Sequence, residues 1–387
     1  MKRVLIFLVA IVVGLGIGEI YLRGKFKDPE HYYLLPPLYK GTYMPTPAGT
    51  PGIVGGPAEF RTNRWGLRGD EIPADGHPVV YVMGGSTSID VWLREAWPQV
   101  LEHLLRREPG LARATVINIS KWGLSTHHNV MHFQEVVPYL PKKPDVVVLL
   151  AGVNDMQRAL KTSYPGTITP EFERRVAYQY VAPEGDAWYG KSGLYRLFRR
   201  LQEVYGKLQT GPLLGVNGDV FLPLRKCRQS VEDKDLVEEV PSLAAALDEY
   251  RRNLRSIIGY ARRYGAEVVF ATQPTLWRKD MPENARKLLL AGGLAPFHEW
   301  FSCRAVRYYS PAAQERALGR FNEVMREVCQ SDHVACLDLE RIVTKEAAYF
   351  YDDMHFTEAG AEAAATAVAR QVIDVLRQRP PRLPTKS

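Results

Sequence analysis

The segment DVVVLLAG at residues 145–152 constrains this chain of 387 residues more than any other. It is apolar at consecutive rather than alternate positions, so a strand built from it needs cover on both faces, as in a parallel sheet between two layers of helices. PVVYVMGGS (78–86), ATVINIS (114–120), AEVVFATQP (266–274) and VACLDL (334–339) read as four further strands. Apolar residues at helical spacing predict helices over 97–108, 128–140, 243–264, 311–329 and 358–378. Strands alternating with helices give an α/β domain with about five parallel strands.

The ends of the chain read differently. After Met1-Lys2-Arg3 come fifteen uncharged residues, Val4 to Gly18, then Glu19 and a further apolar Ile20-Tyr21-Leu22. That just supplies the roughly 20 residues a membrane-spanning helix needs. No small-residue cleavage pattern follows, so an uncleaved N-terminal transmembrane anchor over residues 1–23, with the body outside the cytoplasm, is expected. Residues 24–77, rich in Pro, Gly and Tyr, read as an extended arm, 78–378 as the main domain with an insertion at about 156–242, and 379–387 as a disordered tail.

Lys and Arg exceed Asp and Glu by 50 to 43, a net charge of +7, but the basic residues are spread out and no nucleic-acid motif accompanies them. No nucleic-acid partner is expected. The cysteines, Cys227, Cys303, Cys329 and Cys336, form no CxxC pair. Cys329, ending a helix, and Cys336, starting the next strand, can meet in a disulfide; four buried free thiols are the alternative.

In a parallel sheet all carboxyl ends of strands share one edge. Three such ends bring Gly84-Gly85-Ser86, Gly123 and Gly152-Val153-Asn154-Asp155 towards one another. Ser86 at a strand-to-helix turn is exposed as a nucleophile must be. Its backbone N–H, the N–H of Gly123 and the side chain of Asn154 together can form an oxyanion hole. The best-placed base is His355 in Tyr351-Asp352-Asp353-Met354-His355, with the Asp352 carboxylate one turn earlier to hold the imidazole. Asp353 is the alternative acid, but adjacent side chains diverge. Asp155 is read as structural, and His127, His128 and His132 as ordinary loop or helix residues. Taken singly, Ser86 can be a helix cap and Asn154 a turn residue; the order of the blocks is what favours catalysis.

The blocks GGSTS (84–88), NISKWG (118–123), GVND (152–155) and DDMH (352–355) resemble, in that order, the four blocks of the SGNH, or GDSL-like, hydrolases. Asn63-Arg64-Trp65-Gly66-Leu67-Arg68-Gly69 is similar to a stretch found ahead of the first block in membrane-anchored members. The resemblance covers roughly residues 60–375, the insertion excepted. It implies a flavodoxin-like three-layer α/β/α fold and ester hydrolysis without metal or cofactor. It makes Ser86 the nucleophile, His355 the base, Asp352 its orienting acid, and Gly123 and Asn154 oxyanion donors. Gly85 stands where many members have Asp. The anchor and the resemblance together point to an O-acyl group, such as acetyl, on an envelope or exported polysaccharide. An O-acyltransferase using the same triad and a catalytically silent binding or assembly module are the alternatives. Finally, GDAWYGKS (185–192) matches the P-loop pattern, but its bulky Trp188 and Tyr189 and its place inside the insertion argue against a phosphate cradle.

Overall fold

A computed structural model describes residues 2–25, 32–161, 170–178, 192–195, 197–198, 214–294 and 307–379. Residues 185–191 of the P-loop-like stretch, Cys303, and 380–387 of the expected tail lie outside these. The chain divides into two compact units, one of residues 1–32 and 180–214, the other of 33–179 and 215–387.

In the smaller unit, helix α1 spans Lys2–Lys25. Glu19 on it pairs with Arg23 at 2.6 Å and accepts hydrogen bonds from the Ser192 hydroxyl and from the backbone N–H groups of Gly193 and Leu194. The expected membrane span is not found: among the described residues no helix is long and apolar enough to cross a membrane.

The larger unit is built on five parallel strands: β3 (Val79–Gly84), β4 (Thr115–Ser120), β5 (Val146–Leu150), β7 (Glu267–Ala271) and β8 (Ala335–Leu337). They lie in the order β4-β3-β5-β7-β8. Every residue of β3 and β5 is buried, as unbroken apolar runs require. The helices that cover the sheet and border the site are α2 (Ser86–Ile89), α3 (Trp97–Arg107), α4 (Thr126–Glu135), α5 (Val153–Ala159), α6 (Pro170–Ala177), α7 (Leu222–Gln229), α8 (Ala244–Arg263), α9 (Pro311–Asp332) and α10 (Glu358–Gln378). Strand order reverses at β3, which has the next strand on one side and the one after on the other. Ligands bind at such switch points, outside the carboxyl ends of the strands.

The arm is more regular than its sequence suggests. β1 (Lys40–Met44) pairs antiparallel with β2 (Ala58–Arg61), and β6 (Leu214–Asn217) completes a second sheet in the order β2-β1-β6. Cys329 at the end of α9 is disulfide-bonded to Cys336 in β8, with Cα atoms 5.7 Å apart. Cys227 is disulfide-bonded too, and no free cysteine remains among the described residues, so the free-thiol alternative fails.

Candidate active site

Ser86 opens α2 directly after β3. As the first residue of a helix its N–H has no intrahelical acceptor. Gly123 follows β4 with φ +76°, a left-handed backbone that glycine adopts without strain. Asn154 lies in the first turn of α5, and its side-chain nitrogen donates to the Leu124 carbonyl at 2.9 Å, which ties it to the Gly123 loop. Gly85 explains itself here: a Cβ on it would stand 2.3 Å from Asn154 Nδ2 and 3.3 Å from the Leu124 oxygen. The glycine that departs from the commoner family pattern leaves free the volume that the Asn154 side chain fills.

The loop before α10 supplies the imidazole. His355 Nδ1 lies 2.6 Å from Asp352 Oδ2, while Asp352 Oδ1 accepts the backbone N–H groups of Met354 and His355 at 2.9 and 2.8 Å. The carboxylate is fully buried and both oxygens are engaged. Burial disfavours the His355 cation, but the Asp352 carboxylate outweighs it, with Asp90 and Asp353 adding to the effect, and the imidazole is pushed up to about 9. Burial likewise opposes ionisation of Asp352, yet His355 and the two N–H donors hold it below the ordinary carboxylate range. Asp353 turns the other way: it accepts from Trp277 Nε1 at 2.9 Å and from the N–H groups of Leu290 and Ala291 at 2.7 and 3.0 Å.

Ser86, Gly123, Asn154, Asp352 and His355 line a single cavity of about 570 Å³. Its walls are mostly apolar, with Ile89, Val91, Trp92, Phe221, Leu224 and Met354 among them. A row of ring contacts runs from Tyr43 to Trp92 and on to Phe221, both at 5.5 Å, and then to Tyr351 at 6.5 Å. Tyr351 stacks on the His355 ring at 13° between planes. β1, the 3₁₀ turn at Gly218–Phe221 and α7 thus help to build the cavity, a contribution that the sequence of the arm and insertion does not announce.

Sequence reasoning also missed Asp90. It is 4% exposed, takes the Trp92 N–H at 3.0 Å and the Tyr351 hydroxyl at 3.4 Å, and leaves Oδ2 without a hydrogen-bond partner among the described residues. Burial pushes its carboxyl up to about 6 against the pull of His355 and Arg68. Buried Arg68, in the stretch ahead of the first block, donates to the carbonyls of Ile89, Asp90 and Leu93 and fixes the loop that carries Asp90. No local pattern in the sequence marks Asp90, whose neighbours Tyr351 and Arg68 are brought to it by the fold.

The other singled-out residues are structural. Asp155 accepts the N–H and hydroxyl of Thr126 at the start of α4. His128 and His132 are wholly buried on α4. His128 Nδ1 lies 3.0 Å from both Ser125 N and Oγ, and its Nε2 lies 2.7 Å from Glu173. Among the described residues no cluster of three or more His, Cys, Asp or Glu is placed to hold a metal ion.

No curated protein matches the chain. Among solved structures it is similar to an acetylxylan esterase, Axe2, from Geobacillus stearothermophilus, at 13% identity over 78% of this chain and 96% of that one, with a TM-score of 0.42. A lipase/acylhydrolase from Enterococcus faecalis matches at 14% identity over 79% and 99%, with a TM-score of 0.40. LAE5, an alpha/beta hydrolase from the metagenome of Lake Arreo, Spain, matches at 12% over 76% and 95%, also at 0.40. Scores this low carry no argument of their own. The family profile does: it matches residues 81–363, which include every block named above. The chain belongs to the GDSL-like lipase/acylhydrolase family and is a carboxylic ester hydrolase.

Proposed function

We propose that the protein removes O-acyl groups from a hydroxyl-bearing substrate through Ser86, His355 and Asp352. Ser86 Oγ attacks the ester carbonyl while its proton passes to His355 Nε2. Charge on the carbonyl oxygen is met by the N–H groups of Ser86 and Gly123 and by Asn154. His355 then gives its proton to the departing alkoxide, leaving an acyl-serine. Water, deprotonated by His355, attacks that acyl group, and His355 returns the proton to Ser86 Oγ as the acyl–oxygen bond breaks and the carboxylic acid leaves. The reaction needs no metal or cofactor. The observation that carries this reading is the Asp352–His355 pair at 2.6 Å, opening on the same cavity as Ser86 and both other donors.

The acyl group lies against the apolar wall of Ile89, Trp92 and Phe221, and an O-acylated glycan is the substrate class we favour. The Cys329–Cys336 disulfide supports a body outside the cytoplasm, where such bonds persist. Membrane attachment through Val4–Gly18 belongs to the same reading and rests on that uncharged run alone. The test is fluorophosphonate labelling of the full chain with peptide mapping. A stoichiometric adduct on Ser86, absent in His355→Ala, is expected. A folded protein that takes no label would sink the proposal in favour of a silent binding module.

A further inference from the structure

α5 carries more than an oxyanion donor. Asn154, Gln157, Arg158 and Lys161 all line the catalytic cavity. Their spacing of three, four and seven residues from Asn154 is that of one helix face. α5 ends at Ala159, Leu160 keeps helical angles, and the Lys161 N–H still bonds the Arg158 carbonyl, so the face extends to Lys161. At 1.5 Å per residue, Lys161 stands about 10 Å along the axis from Asn154. This basic strip faces walls that are otherwise mostly apolar.

The two cations on the strip are not equivalent. Arg158 is bound through both terminal nitrogens to Glu173, at 3.0 and 2.8 Å, and Glu173 also meets His128. That carboxylate is therefore spoken for. Lys161 has no hydrogen-bond or ion-pair partner for its ammonium group among the described residues, though it is half-buried, and burial and Arg158 both lower its proton affinity. An ammonium group held part-way out of water, beside another cation and without a counterion, is an arrangement that a bound anion relieves. At the cavity lining, Trp122 is 44% exposed and offers a flat apolar face of the kind on which sugar rings rest.

From this juxtaposition we infer that the esterified substrate is an acidic glycan, whose carboxylate docks on Lys161 while its ester carbonyl sits at Ser86 and Asn154. Gln157, between the two, faces the intervening sugar. This rests on the esterase reading of the same cavity and narrows it from an O-acylated glycan to one that bears uronate-type charge. Arg158 acts through Glu173 as a neutralised prop, which leaves Lys161 as the group that selects.

The experiment compares kcat/KM of the full chain on the methyl glycosides of acetylated glucuronic acid and of equally acetylated glucose. A charge-assisted contact predicts a preference of about tenfold or more for the acid at low ionic strength, shrinking as salt is added. Lys161→Met keeps the apolar stem and should bring the ratio close to one, whereas Lys161→Arg should retain a preference. Equal rates in the wild type, or a preference that survives Lys161→Met, overturn the inference and leave the esterase reading standing. Failure to hydrolyse either ester by a protein that still takes the fluorophosphonate label on Ser86 also overturns it. Loss of both turnover and label removes the esterase reading and this inference together.

Discussion

Gly85 and Asn154 compete for one volume: a methyl group on the first would stand 2.3 Å from the side-chain nitrogen of the second. Gly85→Ala is therefore expected to displace Asn154, the proposed oxyanion donor, rather than Ser86, the proposed nucleophile. Removing one such donor lowers kcat by about 100- to 1000-fold. Steady-state kinetics should show that loss in kcat with little change in KM, and the fluorophosphonate should still find Ser86. A variant of wild-type kcat would mean that Asn154 is not a donor.

The pH dependence follows from the acids around His355. The imidazole must be neutral to take the serine proton, and its neighbours push it up to about 9. The rate should thus climb with pH and level off only above about 9. Asp90 contributes part of that upward push, so Asp90→Asn lowers the proton affinity of His355 and moves the rising limb of kcat/KM to lower pH. A limb that stays put in Asp90→Asn would show that Asp90 holds only the Trp92 turn. The profile of kcat/KM from pH 5 to 10 decides it.

Adjacent carboxylates should fail in different ways. Asp352→Asn keeps the shape of the loop but gives His355 the wrong hydrogen-bonding partner, a change that costs about 10,000-fold in kcat in serine hydrolases of this logic. Asp353→Ala leaves three buried donors, Trp277 Nε1 and the N–H groups of Leu290 and Ala291, without an acceptor. Each such orphan costs about 1–3 kcal/mol, so thermal denaturation should show a loss of several kcal/mol. Melting curves and kcat measured on both variants separate the roles.

A second serine, histidine and carboxylate stand in line at Ser125, His128 and Glu173. All three are buried, and Ser125 and His128 form a capping box at the start of α4. Ser125→Ala should lower stability by about 1 kcal/mol, the usual cost of a lost helix cap. Chemical denaturation measures this, and Ser86 should label as before.

The layers were legible because burial on both faces leaves its mark on single segments. DVVVLLAG became β5 and PVVYVMGGS became β3, each shortened by a residue or two at its ends. The pairing of Asp352 with His355 was legible for a related reason: a spacing of three residues is a local constraint. β1 and β2 were not: KGTYM has no alternation and takes its order from a partner, and the alternation of AEFR runs for four residues only. Nor were Asp90, Tyr351 and Lys161, whose meaning lies in what surrounds them in space. The Cys329–Cys336 bond stood open in the sequence because reach permits a disulfide without requiring one.

Arg68 gives the molecule a seam that its modular appearance conceals. The guanidinium lies ahead of the first core strand yet holds the carbonyls of Ile89, Asp90 and Leu93 in place. A recombinant graft that moved only residues 78–378 onto another leader would carry Ser86, Gly123, Asn154, Asp352 and His355 and still lose the grip on the loop beside them. For exchange between relatives, whether by a breeder of enzymes or by evolution, the heritable unit begins upstream of the sheet, with the arm included.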